Sequence, residues 1–293
     1  MDRDLERPSG LSLPMQHVAS PQTAQKETHM PTNSARTDDA ATPASTPSSD
    51  DQPLVRWRVG HATHIGSRSS NADSYRFGSH ITGRAVFAVA DGIGSKPGAA
   101  EAARIAARTT ISAAVATGTA MQALLEASHH LDLEQPGGSF GDTVMVVAVM
   151  SPATTPGTVS WDIAWVGDCR AYLLDADGLR QLTHDHTKGQ RLRDAGIDEL
   201  TAARFDNIVL TSVRNAINDP AGIGTASVTS KGHQRLLLVS DGVSKPLPDD
   251  MIECALTEFS NPKECARALV ELGVLDDRAD NATALVVDTI IAS

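Results

Sequence analysis

The chain has 293 residues, of which 41% are hydrophobic, enough for the core of one large or two ordinary domains. Its net charge of −11, with no basic run, argues against nucleic acid or an anionic membrane surface as the main partner and favours cations. The three cysteines form no Cys-x-x-Cys pair, and no apolar run approaches the roughly 18 residues that suggest a membrane span. We therefore predict a cytoplasmic protein without a disulfide, a zinc site or a membrane anchor.

The first 53 residues differ in composition from the rest of the chain. They contain no aromatic residue and carry seven of the fifteen prolines, with Ser, Thr and Ala filling most of the remainder. Such a segment cannot bury enough apolar surface to offset its ordering entropy. We predict a disordered tail over residues 1–53, either plainly solvated or a site of regulatory phosphorylation, and a folded domain over residues 54–293.

The sequence pattern of the folded part predicts strands first, then two helices, then more strands, and finally both strands and helices. Alternating or continuous apolar runs predict strands, and a 3.6-residue period with end signals predicts helices. The residues from His184 to Gly222 are more polar and mixed, and we interpret this segment as a mobile surface flap with one helical piece near Lys188 to Ala195. The predicted strands lie around 55–59, 75–77, 85–90, 143–150, 158–168, 169–182, 235–239 and 283–290, and the helices at 99–115, 120–130, from Pro248, and from Asn261 to Gly273.

Aspartates stand at the ends of four of these core strands. Asp91 follows the apolar run from Ala85 to Ala90, Asp168 and Asp241 end two further strands, and Asp280 precedes the last one. Carboxylates gathered without His or Cys at ligand spacing suit hard divalent cations such as Mg²⁺ or Mn²⁺. Two such ions can hold a bridging hydroxide and stabilise displacement at phosphorus, and a nearby arginine, Arg68, would hold the phosphate oxygens.

A set of short motifs, in order, resembles the metal-dependent protein Ser/Thr phosphatases of type 2C in their bacterial form. The resemblance runs from Val55 to Val287 and implies an α+β fold, a four-layer α-β-β-α sandwich of two antiparallel sheets flanked by helices. The motifs are Arg-Ser-Ser-Asn-Ala-Asp at 68–73, Val-Ala-Asp-Gly-Ile-Gly at 89–94, Gly-Asp-Thr at 141–143, Val-Gly-Asp-Cys-Arg-Ala-Tyr at 166–172, Leu-Thr-His-Asp-His-Thr at 182–187, Leu-Val-Ser-Asp-Gly at 238–242 and Asp-Asn-Ala-Thr at 280–283.

The resemblance also implies roles for individual residues. Two Mn²⁺ or Mg²⁺ ions and a weaker third are implied, with attack by a metal-bridging hydroxide on phosphoserine or phosphothreonine in proteins that a Ser/Thr kinase has modified. A monomer is expected. The implied roles are a bridge between both ions for Asp91, a carbonyl ligand for Gly92, ligands of the second ion for Asp241 and Asp280, a ligand of the third ion for Asp168, an orienter of water for Asp73 and a phosphoryl clamp for Arg68.

Two departures from the family pattern leave alternatives open. Ala72 stands where an acidic or amide residue is usual, and Ile93 stands where eukaryotic members carry a histidine proposed as general acid. Ala72 leaves open a phosphatase-like module that binds phosphoproteins without turnover, and the flap, which would govern the choice of substrate, leaves open a phosphatase for a small phosphoester. Asp168 and Asp73 could also serve only as hydrogen-bond acceptors for loop amides, and Arg68 could be an ordinary surface arginine.

Overall fold

The computed structural model describes residues 55–79, 83–94, 97–134, 141–151, 155 and 157–291. The predicted tail over residues 1–53 lies outside these ranges. Ten strands are present in the described part: β1 Val55–His64, β2 Asp73–Ser79, β3 Ala85–Gly92, β4 Thr143–Ser151, β5 Thr158–Val166, β6 Arg170–Asp175, β7 Gly178–Gln181, β8 Gly224–Lys231, β9 Arg235–Val239 and β10 Ala282–Ile291.

The helices fall into two long pairs and several short pieces. In the described ranges they are α1 Pro97–Thr117, α2 Ala120–Glu134, α3 Lys188–Asp194, α4 Glu199–Ala202, α5 Val213–Ala216, α6 Asp241–Ser244, α7 Asp249–Glu258 and α8 Pro262–Gly273, with 3-10 turns at Ala203–Phe205 and Pro220–Gly222. None of the helices that the structure describes is long and apolar enough to cross a membrane.

The strands form two five-stranded antiparallel sheets, in the orders β1-β10-β9-β6-β7 and β2-β3-β4-β5-β8. Apolar side chains such as Phe87, Trp161 and Leu285 fill the space between the sheets. Helices α1 and α2 cover the outer face of the second sheet, and α7 and α8 cover that of the first. The predicted α-β-β-α sandwich is confirmed.

Side-chain alternation explains how strand β3 serves two layers. Val86 and Ala88 pack beneath α1, whereas Phe87 and Val89 face the opposite sheet. Because successive side chains on a strand point to opposite faces, Asp91 shares the face of Phe87 and Val89. The strand therefore delivers this carboxylate into the gap between the two sheets, at their edge.

Several element predictions need correction. Strand β8, Gly224–Lys231, was not predicted, because Thr225, Ser227 and Thr229 are exposed and its inward residues are small. The segment from His184 to Gly222 holds α4 and α5 as well as the expected α3, and a single turn of four residues is too short to show a period. For the helix that begins after Asn261, the sequence period predicts a buried face of Cys265, Ala268, Leu269 and Leu272. In α8, Ala266 and Val270 are buried with Cys265 and Leu269, whereas Ala268 and Leu272 are only partly buried.

Candidate metal centre

The predicted site residues other than Asp73 line one cleft at the edge of the sandwich. The cleft has a volume of about 250 Å³ and lies where β3, β5, β9 and β10 meet. Its lining includes Arg68, Asp91, Gly92, Asp168, Asp241 and Asp280, with Ala72, Ile93, Asn207, Lys245 and Asn281 beside them. Residues from seven different motifs or loops thus come together, as the sequence predicts for a shared acidic site.

Strand pairing places Asp73 beside Asp91. The two residues are directly opposite in the β2–β3 ladder, so both carboxylates point to the inter-sheet side. Gly92 then brings the backbone against the first turn of α1, where a Cβ would lie 2.5 Å from the carbonyl oxygen of Ala99. Only glycine fits this approach.

Asp73 is held from the opposite sheet by Ser240. The Ser240 hydroxyl donates to Asp73 Oδ2 at 2.7 Å and accepts from the Thr283 amide at 2.9 Å. Burial raises the pKa of Asp73 to about 7, against the hydrogen bonds that lower it, and the charges of Asp241 and Asp280 raise it further. Its other oxygen, Oδ1, is buried without a hydrogen-bond partner in the described structure.

Asp91 and Asp168 show the same resistance to ionisation. Burial, followed by the charge of Asp241, raises the pKa of Asp91 well above its usual range. The same two causes raise the pKa of Asp168 to about 6, although Lys245 opposes them. Carboxylates packed this closely repel one another, and a multivalent cation relieves that repulsion.

Asp241 begins α6, and its two oxygens have different surroundings. Oδ2 accepts from Lys245 Nζ at 2.7 Å, and Oδ1 is buried with no partner among the described residues. Lys245 also lies 2.9 Å from Asp168 Oδ2. Although burial opposes its charge, Asp241 and Asp168 raise the pKa of Lys245 above its usual value, so the lysine is cationic.

The third side of the cleft is the loop before β2. Arg68 donates from Nη2 to Asp280 Oδ2, with both side chains partly exposed. Asn281 ties the loop down: its Oδ1 accepts from the Ala72 amide at 2.8 Å, and its Nδ2 donates to the carbonyls of Ile65 and Ser70 at 2.8 and 3.1 Å. Asn281 therefore links the start of the last strand to the loop before β2.

These donors fit hard divalent cations. Five carboxyl groups share the site with two cationic side chains, Lys245 and Arg68, and the two orphaned oxygens of Asp73 and Asp241 are buried acceptors that a cation would satisfy. Among the described residues no three such side chains stand in ready coordination geometry. Rearrangement within the cleft, such as the release of Asp280 from Arg68, would therefore accompany ion binding.

Two histidines near the site have other partners. His184 Nε2 lies 2.9 Å from Asp194 Oδ2, and His186 Nδ1 lies 2.8 Å from Thr211 Oγ1 while its ring stacks on Trp165. Both histidines therefore contribute to the structure of the flap.

Sequence reasoning assigned no role to Ser240, Asn207 or Lys245. For Lys245 a signal was available, because a lysine four residues after Asp241 reaches back to it along one helical turn. Its second acid partner, Asp168, is distant in sequence and could be found only from the fold.

Comparison with known proteins identifies a family model and several relatives that match this chain. A family model described as Protein phosphatase 2C matches residues 61–272. The serine/threonine protein phosphatase PstP of Mycobacterium tuberculosis is 26% identical over 76% of this chain and 43% of its own length. The serine/threonine phosphatase stp of Listeria welshimeri is 30% identical over 57% of this chain and 62% of its own length. The chain thus spans roughly half the length of the curated relatives that it matches.

Solved structures share the fold. The catalytic domain of PstP in complex with two manganese ions superposes with a TM-score of 0.60 at 22% identity, covering 80% of this chain and 99% of that one. Stp1 from Staphylococcus aureus gives a TM-score of 0.66 at 20% identity, covering 81% of this chain and 96% of that one. Since the family model spans most of the folded region, the chain belongs to the protein phosphatase 2C family.

Proposed function

We propose that this protein is a metal-dependent phosphatase that hydrolyses phosphoserine and phosphothreonine in proteins. The observation that carries the proposal is the acidic cleft itself, in which buried carboxylates with two orphaned oxygens lie beside an arginine. Family membership and the names of the curated relatives support the same activity. Two Mn²⁺ or Mg²⁺ ions are the proposed cofactors, as in the manganese complex of PstP.

We take the ligand roles from the resemblance to the family, whose motif positions these residues occupy. Asp91, at the end of β3, would bridge both ions, with the carbonyl of Gly92 on one of them and Asp241 and Asp280 on the other. When bound, the ions would lower the pKa of water towards neutrality and stabilise charge developing at phosphorus. Asp73, held by Ser240, would orient water through the oxygen that has no partner here.

Arg68 would bind the substrate phosphoryl group. Its side chain lies at the mouth of the cleft, about half exposed, and a guanidinium can engage two phosphoryl oxygens at once. Its present partner, Asp280, is one of the proposed ligands, so binding of metal to Asp280 would release Arg68 towards the substrate. Ile93 lines the same cleft and has no ionisable group that could act as a general acid. We therefore propose that the leaving group takes its proton from water.

We further propose a monomer that acts in the cytoplasm on substrates of a Ser/Thr kinase. The three free thiols, Cys169, Cys254 and Cys265, support a reducing compartment. Nucleic acid is not a proposed partner, given the net charge of −11. The flap, His184 to Gly222, borders the cleft through Asn207 and Val209 and would contact residues flanking the phosphate.

The test is hydrolysis of phosphoserine and phosphothreonine peptides by the full chain with MnCl₂ or with EDTA. Asp91→Asn and Asp241→Asn should each lower turnover roughly a hundredfold or more, the scale of losing one electrostatic stabiliser of a transition state. Asp250→Asn, an exposed change on α7, is the matched control and should retain activity. Full turnover in EDTA, or in either site variant, would contradict the proposal.

The alternative of a binding module has its own signature in the same experiment. Ala72 is buried at the cleft, where a polar side chain would otherwise reach the site. Two-ion binding without hydrolysis of any peptide would favour the module, and hydrolysis of a small phosphoester alone would favour the small-substrate phosphatase.

A further inference from the structure

Lys245 extends into the acidic cluster and is fully paired there. It caps the C-terminal end of α6, one turn after Asp241, and its side chain is 25% exposed. Nζ lies 2.7 Å from Asp241 Oδ2, 2.9 Å from Asp168 Oδ2 and 3.1 Å from Asn207 Oδ1. An ammonium has three N–H donors and no acceptor, so three oxygens satisfy it completely.

The two oxygens of Asp241 divide the cluster into two parts. Asp241 Oδ2 accepts from Lys245, whereas Asp241 Oδ1 and Asp73 Oδ1 are buried without a hydrogen-bond partner in the described structure. Binding of a cation at Asp241 Oδ1, and of water at Asp73 Oδ1, does not require Lys245 to leave. The contacts of Lys245 and the metal ligands proposed above are therefore compatible in one molecule.

Asp168, like Asp241 Oδ2, is paired with Lys245. Its side chain is 4% exposed, and the ammonium of Lys245 neutralises the carboxylate that the sequence resemblance assigns to a weaker third ion. A divalent ion bound to Asp168 Oδ2 and Asp241 Oδ2 would compete with Lys245 for the same oxygens. Two cations at ion-pair distance in a partly buried site repel strongly, so the ion and the ammonium exclude each other.

We propose that the Lys245 ammonium is a built-in replacement for the third ion, so that this chain holds two divalent ions and uses Asp168 to position the lysine. The proposal rests on the proposed function, because it concerns the same acidic site. Lys245 also reaches Asn207 of the flap, so the same ammonium links the flap to Asp241 without a metal.

The test counts the Mn²⁺ ions bound per full-length chain, by equilibrium dialysis with elemental analysis, which requires no activity. The wild-type chain and the control Lys231→Met, an exposed change on β8, should bind two ions. Lys245→Met removes the ammonium at similar side-chain length and should bind three, the third weakly. Three ions on the wild-type chain, or two on a folded Lys245→Met chain, would overturn the inference.

A second variant covers the case in which Lys245→Met does not fold. Asp168→Asn should still bind two ions with unchanged affinity, because Asp168 is not a ligand in this account, and loss of an ion would overturn the inference. A wild-type chain that binds no ion would overturn the proposed function and this inference with it. Three ions on the wild-type chain would overturn this inference alone.

Discussion

Ser240 joins the two sheets at the metal centre, and Ser240→Ala is the substitution whose effect the structure defines best. The hydroxyl is fully buried, donates to Asp73 Oδ2 at 2.7 Å and accepts from the Thr283 amide at 2.9 Å. Alanine deletes both contacts without adding bulk. It leaves a buried N–H without its acceptor and a buried carboxylate without its donor.

The magnitude follows from these two losses. An unsatisfied buried N–H costs about 1–3 kcal/mol, and a hydrogen bond to a charged group contributes about 1.5–3 kcal/mol. We expect the free energy of unfolding of the metal-free chain to fall by about 3 kcal/mol, which lowers Tm by about 6–12 °C for a domain of this size. The pKa of Asp73 should rise above its value of about 7, because a bond that favours the charged form is lost.

The assay has two parts. Urea unfolding in EDTA measures stability, and titration with Mn²⁺ at neutral pH measures affinity, which should weaken because a larger fraction of Asp73 is protonated and the site carries less negative charge. Ser227→Ala, an exposed change on β8, is the matched control. If Ser240→Ala matches this control in both stability and Mn²⁺ affinity, the role assigned to the hydroxyl is wrong.

Three further predictions concern the flap, the far end of the sandwich and the substrate. Burial, with the charge of His184, lowers the pKa of His186 below 6.5, so the folded state favours the neutral ring. The free energy of unfolding should therefore fall as the pH drops below 6.5. His186→Gln should remove that part of the pH dependence in urea titrations. Arg235→Met should lower the free energy of unfolding by about 3 kcal/mol, since it removes both Arg235 hydrogen bonds to the largely buried Asp288 and leaves that carboxylate the 3.3 Å contact of the exposed Arg58. Adding Asp288→Leu should recover part of the loss, and equal stability of wild type and Arg235→Met would refute this. Arg68→Ala should raise KM for a phosphopeptide while leaving Mn²⁺ stoichiometry at two, and an unchanged KM would contradict the clamp.

The sandwich was predictable because its central strands carry strong patterns. Residues 85–90 and 143–150 are almost uninterrupted apolar runs, and the structure buries both on two faces. Strand β8 could not be found in the same way. Its small polar residues give a weak alternation, and its place at the sheet edge follows from pairing with β5.

The site was predictable to the extent that it depends on strand ends. Asp91, Asp168, Asp241 and Asp280 each adjoin a strand with a clear pattern, so their convergence could be inferred before any coordinates. The role of the cationic side chain of Lys245 could not be predicted in the same way. Lys245 and Asp168 meet only because α6 follows β9 and lies beside the end of β5, and no local pattern encodes that contact.

Crystals of the full chain soaked in MnCl₂, with anomalous scattering recorded at the manganese edge, would test the central claim most directly. The account predicts two peaks in the cleft, with Asp91 between them and Asp241 Oδ1 and Asp280 at one, and no peak between Asp168 and Asp241 Oδ2, where Lys245 lies. Manganese bound elsewhere on the chain, or no manganese at Asp91, would contradict the two-ion phosphatase centre.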